Sequence, residues 1–487
     1  MLFRDLIKGL DVLDVKGDLD IEIKDVAYDS RKVKKGSLFV CIDGMTTDGH
    51  KYIPSALENG AVALLVQKDV PAVDGVTIVK IKDTRFGLAS VSDALFRHPS
   101  GRLNLIGVTG TKGKTTTTHM IKSILEHSGQ KTGLIGTIAN MIGDEILYAQ
   151  RTTPESYDLQ SLFDEMLEKG VKSVSMEVSS QGLALDRVGC CEFNIGIFTN
   201  ITSDHIGPKE HKDFDDYLNA KAKLFTMCKK GVINIDDPHT DRIMKNATCE
   251  IITYGIEKEA DIRAYDIVKH STGVDFKISS RWGSDTIRVN IPGKFNVYNA
   301  MAAIGACFLS GASMEDIKAG LASVKVKGRA EVVETGRDFT VMIDYAHNAV
   351  SLENILTTVK DYAQGRVVCL FGCGGDRDRT RRFEMGEVSG KFADFTIITS
   401  DNPRTEDPDA IINDIETGIR KTTGKYIKIT ERREAIKYAI ANARPKDIII
   451  LAGKGHETYQ EFKDKTIHFD EREVVAEILE ELFPSGS

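Results

Sequence analysis

Short apolar runs recur along the whole chain, each followed by a polar or glycine-rich stretch and then by a segment of helical length. Near the start, "GSLFVCI" (36–42) and "AVALLV" (61–66) alternate with "YIPSALENG" (52–60), and the pattern closes at "FRHPSGR" (96–102), whose Pro-Ser-Gly reads as a linker. This predicts a small α/β domain over 1–98. Over 99–328, "LNLIGVTG", "SVSMEVSS", "FNIGIFTNI" and "GVINIDD" are strand-like and are separated by helix-length segments such as "DYLNAKAKLFTM". That alternation predicts a mostly parallel sheet. Over 329–487, "FTVMIDYAHN", "GRVVCLFGCGG", "ADFTIITSDNPR" and "KDIIILAGKGHE" each run from a strand into a polar or glycine-rich loop, so a second open sheet gathers its loops along one edge. The expected fold class is α/β in three domains.

Length agrees, since 487 residues exceed what one hydrophobic core supports. With 64 basic against 72 acidic side chains and a formal net charge of -8, the composition argues against nucleic acid as the main partner. Eight cysteines form no CxxC pair and no zinc spacing, and are expected to be reduced. The acidic residues in "MLFRDLIKGLDVLDVKGDLD" do not suit a signal peptide, and no apolar run reaches the roughly 18 residues of a membrane span. A cytoplasmic protein without a membrane span is expected.

The segment "GTKGKT" (110–115) follows a strand pattern and precedes one helical face made by Met120, Ile121, Ile124 and Leu125, with Gly129 as its stop. Gly110 and Gly113 allow close backbone approach to phosphates, Lys114 reaches the outer ones, and the Thr115 hydroxyl suits magnesium. The usual eight-residue pattern has glycine where Val108 stands, so this loop is a shortened form. Glu177 follows the apolar run of "SVSME" and His205 follows "IGIFTN", so both can sit at strand ends facing the loop, although sequence alone also fits a solvated Glu177 and a structural His205.

Twelve segments in order carry a resemblance over nearly the whole chain: "DSRKVKKGSLFVCIDG", "DGHKYI", "GTKGKTTT", "TTPESYDL", "MEVSSQGL", "FTNITSDH", "NAKAKLF", "GKFNVYNAMAA", "DYAHN", "GGDRDRTRR", "SDNPRTEDP" and "GKGHETYQ". Together they resemble the bacterial Mur ligases. The resemblance implies a cytoplasmic, monomeric enzyme of peptidoglycan precursor synthesis, with an N-terminal UDP-binding domain, a central P-loop-type ATPase domain and a C-terminal Rossmann-like domain. It implies a ligase that uses ATP and magnesium to turn the carboxylate of UDP-N-acetylmuramoyl-L-alanyl-D-glutamate into an acyl phosphate, which the amine of meso-diaminopimelate then attacks. A lysine-adding or folylpolyglutamate-forming relative, and a nucleotide-binding scaffold without turnover, stay open as alternatives; the "DSR" and "DGH" segments argue against the folate enzyme.

Site residues follow from the same resemblance. The phosphate loop Gly110, Thr111, Lys112, Gly113, Lys114, Thr115 and Thr116 would hold ATP, with Asn296 and Asn299 on the adenine side and Arg329 and Asp344 contacting the nucleotide. Thr115, Glu177, His205 and a carbamylated Lys221 would hold magnesium, and Lys114, Glu177, His205 and Lys221 would be catalytic. Sequence alone also fits Lys221 as an exposed helical lysine, with Lys223 as a rival for its role. Ser30, Met45, Thr46 and Thr47 would meet the uridine part, and Thr152, Thr153, Ser179 and Arg187 the muramyl-dipeptide arm. The acceptor would be read by Asp401, Asn402, Pro403 and Arg404, with Arg382, Gly453 and Glu457. Arginine's planar fork matches a carboxylate in two parallel hydrogen bonds, so Arg404 suits an acceptor with a distal carboxylate, which diaminopimelate has and lysine lacks. Departures from the family pattern are Ala349, Phe383 and the segment "SDHIGPKEHKDFDDY"; Arg151, where relatives may have asparagine, has no assigned role.

Overall fold

The computed structural model describes residues 1–44, 47–203, 206–207 and 210–484. The chain divides into two compact units, one of Met1–Arg263, Ser279–Gly283 and Tyr298–Gly320, the other of Ala264–Ile278, Ser284–Val297 and Leu321–Ser487. Among the described residues no helix is long and apolar enough to cross a membrane. All eight cysteines are free thiols.

The first unit opens with a sheet in the order Val12–Lys16, Thr77–Ile81, Ala61–Val66, Ser37–Val40, Asp25–Ala27, parallel except for its first strand. Its inner strands read as unbroken apolar runs because both faces are covered. Leu38, Val40, Ala63 and Leu65 pack with Leu88 and Val91 of the helix Thr84–Leu95, while Phe39, Leu64 and Val66 pack with Ile53 and Ala56 of the helix Ile53–Glu58. Alternate residues thus serve opposite faces.

The parallel core of the second sheet runs Glu250–Gly255, Cys228–Asn234, Phe193–Phe198, Asn104–Thr109, Ser173–Glu177, Thr132–Ile135. The chain leaves Asn104–Thr109 toward one side of the sheet and later returns to place Phe193–Phe198 on the other. The strand before the phosphate loop is therefore a topological switch point, where open α/β sheets bind ligands at the carboxyl ends of their strands. An antiparallel hairpin, Asn140–Ile142 with Glu145–Leu147, extends one edge, and Ile262–His270, Gly273–Ser280 and Gly283–Val289 are successive neighbours in the strand order. The expected parallel sheet thus has antiparallel additions that the apolar runs did not announce.

In the second unit the order is Glu331–Val333, Thr340–Asp344, Ile448–Ala452, Val367–Phe371, Phe395–Ile398, Tyr426–Lys428, all parallel but the first. Val367–Phe371 and Ile448–Ala452 are buried along their whole length. Two loops at their carboxyl edge are fastened from beneath by Arg432, whose terminal nitrogens donate to Ser400 O (3.3 Å) and Ala452 O (2.9 Å) while Nε donates to Glu471 Oε1 (2.9 Å). Arg432 and Glu471 are both fully buried side chains. Arg432→Met is expected to destabilise this unit by about 3–5 kcal/mol, because it strands a buried carboxylate. Urea unfolding followed by amide exchange over residues 321–484 measures this, and a loss under about 1 kcal/mol would refute the fastening role.

Candidate active site

The phosphate loop is closed by residues that directly follow a strand far along the chain, Phe193–Phe198. Thr111 N donates to Asn200 O (2.8 Å) and Lys112 N to Asn200 Oδ1 (3.0 Å), while Thr199 Oγ1 donates to Lys112 O (2.7 Å). Gly110 has φ 152° and Gly113 φ 88°. A Cβ on Gly110 would lie 1.9 Å from Thr199 Oγ1, and one on Gly113 2.3 Å from Asn299 Oδ1, so both positions admit only hydrogen. Gly113 leads directly into the helix Lys114–His127, whose first-turn N–H groups have no carbonyl partner within the helix and carry its positive dipole end. The loop is shaped for an anion. The helix ends as expected, with Gly129 at φ 78° and its N–H donating to Glu126 O.

Lys114 Nζ lies across the loop, donating to Gly110 O (2.8 Å) and Thr111 O (3.0 Å). Thr115 Oγ1 donates to Glu177 Oε1 at 3.0 Å, which brings together two of the expected magnesium ligands. Glu177 ends the strand Ser173–Glu177, is buried, and also accepts from Thr137 N (2.8 Å) and Thr137 Oγ1 (3.1 Å). Lys221, on the helix Phe214–Ala222, is 1% exposed and donates from Nζ to Gly110 O at 2.9 Å. Its ammonium sits 4.4 Å from the centre of the Tyr217 ring, and Tyr217 OH and Thr111 Oγ1 are 3.0 Å apart. Lys223, the rival, is paired with Asp186 at 2.7 Å on the surface, whereas Lys221 is buried beside the loop. His205 lies outside the described residues, and among those described no three His, Cys, Asp or Glu gather as a metal cluster.

Thr116 lies buried in the helix's first turn. Asn299 stands against Gly113, while Asn296, in the second unit, donates from Nδ2 to Pro292 O (2.8 Å). Arg329 stacks over the Tyr345 ring at 4.9 Å, and Asp344 accepts from Ala330 N (2.8 Å) and Ala346 N (2.9 Å).

Of the sugar-nucleotide residues, Thr152, Thr153 and Ser179 join the Glu177 network. Thr152 Oγ1 is 3.0 Å from Thr137 Oγ1, Thr153 Oγ1 donates to Glu177 O (3.0 Å), and Ser179 N donates to Thr153 Oγ1 (3.0 Å). Arg187 reaches Thr153 O from Nη1 (3.3 Å). Beside the N-terminal sheet, Ser30 begins the helical turn Ser30–Lys32, is buried, and its carbonyl accepts from Asn59, while Thr47 Oγ1 is 3.1 Å from Tyr52 OH. Met45 and Thr46 lie outside the described residues.

The expected acceptor residues cluster in the second unit. Asn402 Nδ2 donates to Glu457 Oε2 (2.9 Å), and its Oδ1 accepts from the fully buried Lys454 (3.1 Å) and from Glu461 N (3.0 Å). Gly453, at φ 111°, lies so close to Asp401 that a Cβ would be 2.7 Å from Oδ2. Burial pushes the Glu457 carboxyl above its ordinary pKa; Lys454 pulls it back and Asp401 pushes it up again. Pro403 O meets the backbone of the preceding glycine loop, since a Cβ on Gly375 would be 1.9 Å from it.

Arg404, at φ 51°, spends two of its nitrogens inside the protein: Nε donates to Glu461 Oε2 (3.0 Å) and Nη1 to Gly375 O (2.8 Å). These contacts use two of the five N–H donors of the guanidinium, so one N–H on Nη1 and both on Nη2 are not taken up by them. Arg382 is buried with Nη1 on Asp414 (3.0 Å) and Nη2 on Glu406 (2.7 Å), so its terminal nitrogens serve structural carboxylates in this state. Thr137, Thr199, Asn200, Tyr217, Lys454 and Glu461 are site neighbours that sequence reading gave no role. Several lie inside the quoted motifs, but their partners are loops from other strands.

Family models match the chain in three successive segments: residues 22–92 fit the Mur ligase family catalytic domain, 108–307 the Mur ligase middle domain, and 328–455 the Mur ligase glutamate ligase domain. The UDP-N-acetylmuramoyl-L-alanyl-D-glutamate--2,6-diaminopimelate ligase of Caldanaerobacter subterraneus subsp. tengcongensis is 49% identical over 482 residues, 99% of each chain. The enzyme of the same name from Clostridium botulinum is 48% identical over 467 residues, 95% of this chain and 96% of its own. A solved structure of a ligase of that name superposes with a TM-score of 0.75 at 29% identity, covering 100% of both chains.

Proposed function

The chain belongs to the Mur ligase family, and from that premise we propose that it joins meso-diaminopimelate to UDP-N-acetylmuramoyl-L-alanyl-D-glutamate with ATP, as a step of peptidoglycan precursor synthesis. The observation that carries the reading is the meeting of Thr115 and Glu177 at the mouth of the phosphate loop, next to Lys114, at the switch point of the sheet. We further propose three domains, 1–98, 99–328 and 329–487, in a monomeric cytoplasmic protein.

Forming an amide from a carboxylate requires a leaving group. A carboxylate oxygen attacks the γ-phosphorus of ATP, the bond to the ADP oxygen breaks, and an acyl phosphate results. The acceptor amine then attacks the acyl carbon, phosphate departs with its oxygen, and the nitrogen loses a proton. Phosphoryl transfer rests on positioning and charge neutralisation. The glycine loop and the helix N-terminus hold the phosphates, and Lys114 moves its ammonium from the loop carbonyls to the outer phosphates. Thr152, Thr153, Ser179 and Arg187 orient the muramyl-dipeptide arm.

The Thr115 hydroxyl and Glu177 carboxylate are an all-oxygen pair that suits magnesium, with His205 and Lys221 as the further proposed ligands. When bound, magnesium neutralises charge on the transferred phosphoryl group. Lys221 is proposed to act as a carbamate. Its present contacts, a carbonyl oxygen and an aromatic face, suit an ammonium, so carbamylation would require the side chain to leave Gly110 O.

In the acceptor pocket, Arg404 is proposed to take the distal carboxylate and Glu457 the distal ammonium. Phosphate release from ATP, with the sugar nucleotide present and meso-diaminopimelate, L-lysine or no amino acid added, tests this. Release with diaminopimelate alone is expected. Release with lysine alone would sink the acceptor assignment, and silence in all three with ATP still bound would sink the ligase.

A further inference from the structure

Three arginines of the first unit converge on one carboxylate. Glu155 occupies the N-cap position of the helix Ser156–Glu168, yet its side chain caps nothing. It turns instead to Arg187, with Nε 3.0 Å from Oε1, to Arg151, with Nε 3.8 Å from Oε1, and to Arg85, with Nη1 3.9 Å from Oε2. Arg85 comes from the first turn of the helix Thr84–Leu95, beside the N-terminal sheet; Arg151 and Glu155 flank Thr152 and Thr153, and Arg187 lies in the turn after the helix Ser180–Ala184. The cluster is sheltered: the side chains of Glu155, Arg187 and Arg85 are 10%, 12% and 20% exposed, and that of Arg151 40%.

Guanidinium groups do not lose their proton in proteins, so three positive charges face one negative charge. A second carboxylate, Asp158, accepts the hydroxyl of Tyr28, which also feels Glu155 and Arg151; counting it, the three arginines still exceed the two carboxylates by one charge. Burial holds Arg187 below its ordinary pKa; Glu155 opposes this, and Arg151 and Arg85 add to it. Like charges in a sheltered site repel, and a fold tolerates them where an anion completes the set. Arg187 also donates to Thr153 O, and the Thr153 hydroxyl donates to Glu177 O, so the cluster is wired to the end of the phosphate-loop sheet.

We infer that Arg85 and Arg151, with Arg187, form an anion cradle that recruits the sugar-nucleotide substrate, Glu155 being the internal counter-ion that spaces the three guanidinium groups. This deepens the ligase reading and rests on it. The anionic group is either the diphosphate or a glutamyl carboxylate of the same substrate. A diphosphate suits the cradle better, because its several anionic oxygens can accept from more than one of the three guanidinium groups at once.

Equilibrium binding, without turnover, tests the inference. Arg85→Gln and Arg151→Gln are each expected to weaken binding of UDP-N-acetylmuramoyl-L-alanyl-D-glutamate about tenfold and to lessen its salt dependence, with ATP binding unchanged. Glu155→Gln removes the competing anion and is expected to tighten binding, a sign reversal that a merely structural cluster would not produce. UDP alone and a muramyl dipeptide lacking UDP distinguish the two anions: the arginine variants are expected to weaken UDP and spare the dipeptide, and the reverse would assign the cradle to the carboxylate. Unchanged binding in both arginine variants, or weakening in Glu155→Gln alongside them, would overturn the inference. Failure of the unaltered protein to bind the sugar nucleotide would overturn the ligase reading, and the cradle with it.

Discussion

Lys114→Met is expected to leave the protein folded while lowering ATP-dependent phosphate release by about a thousandfold or more. The ammonium donates hydrogen bonds to loop carbonyls, Gly110 O and Thr111 O. Such contacts are cheaply exchanged for phosphate oxygens. Removing one aligned donor from a site of developing charge costs roughly 10²–10³ in rate, and a full positive charge on a phosphoryl group more. Methionine keeps the length and the packing, so melting temperature and sugar-nucleotide binding should hold. Single-turnover phosphate release measures the effect, and a loss below tenfold would show that Lys114 does not serve the phosphates.

The second large effect is expected at Arg404. Arg404→Ala should cut kcat/KM for diaminopimelate by about 10²–10³ and leave the KM for ATP and for the sugar nucleotide unchanged. The magnitude follows from removing one member of a sheltered charge pair, about 2–5 kcal/mol. Arg404→Lys should recover little, because a lysine cannot keep Glu461 and Gly375 O as partners while offering a further N–H in the same plane. Glu461→Gln is the informative companion. It keeps an acceptor for Nε but releases the charge, so a gain in acceptor affinity would show that Glu461 competes with the ligand for the fork. Equal use of diaminopimelate by Arg404→Ala and the unaltered protein would remove Arg404 from the acceptor site.

Much of the architecture was legible because parallel sheets covered on both faces write themselves as apolar runs. "AVALLV" is the strand Ala61–Val66, and the runs before "GTKGKT", "SDNPR" and "GKGHE" end in strands within a few residues of those loops. The glycines of the phosphate loop were readable for the same local reason, since their need is set by backbone shape. What escaped was tertiary. Thr199 and Asn200 close the loop from about ninety residues away. The second and third uses of Arg404 come from Gly375 and Glu461, and Arg382 is drawn to Glu406 and Asp414. A capping position predicts a cap, yet Glu155 serves three arginines instead, which no local rule foretells. Lys221 was the opposite case: the family resemblance chose it over Lys223, and Lys221 is buried against Gly110 O while Lys223 pairs with Asp186 at the surface.

The central claim is that the glutamyl carboxylate is activated by phosphorylation before the amine attacks. Sugar nucleotide carrying ¹⁸O in its glutamyl carboxylate, turned over with ATP and diaminopimelate, tests it most directly by mass spectrometry of the released phosphate. One ¹⁸O in each phosphate is the expected result, because the attacking carboxylate oxygen leaves with the phosphorus when the amide forms. Unlabelled phosphate alongside amide product would contradict the account, since the carboxylate oxygen would then have departed by a route that never bonded to the γ-phosphorus.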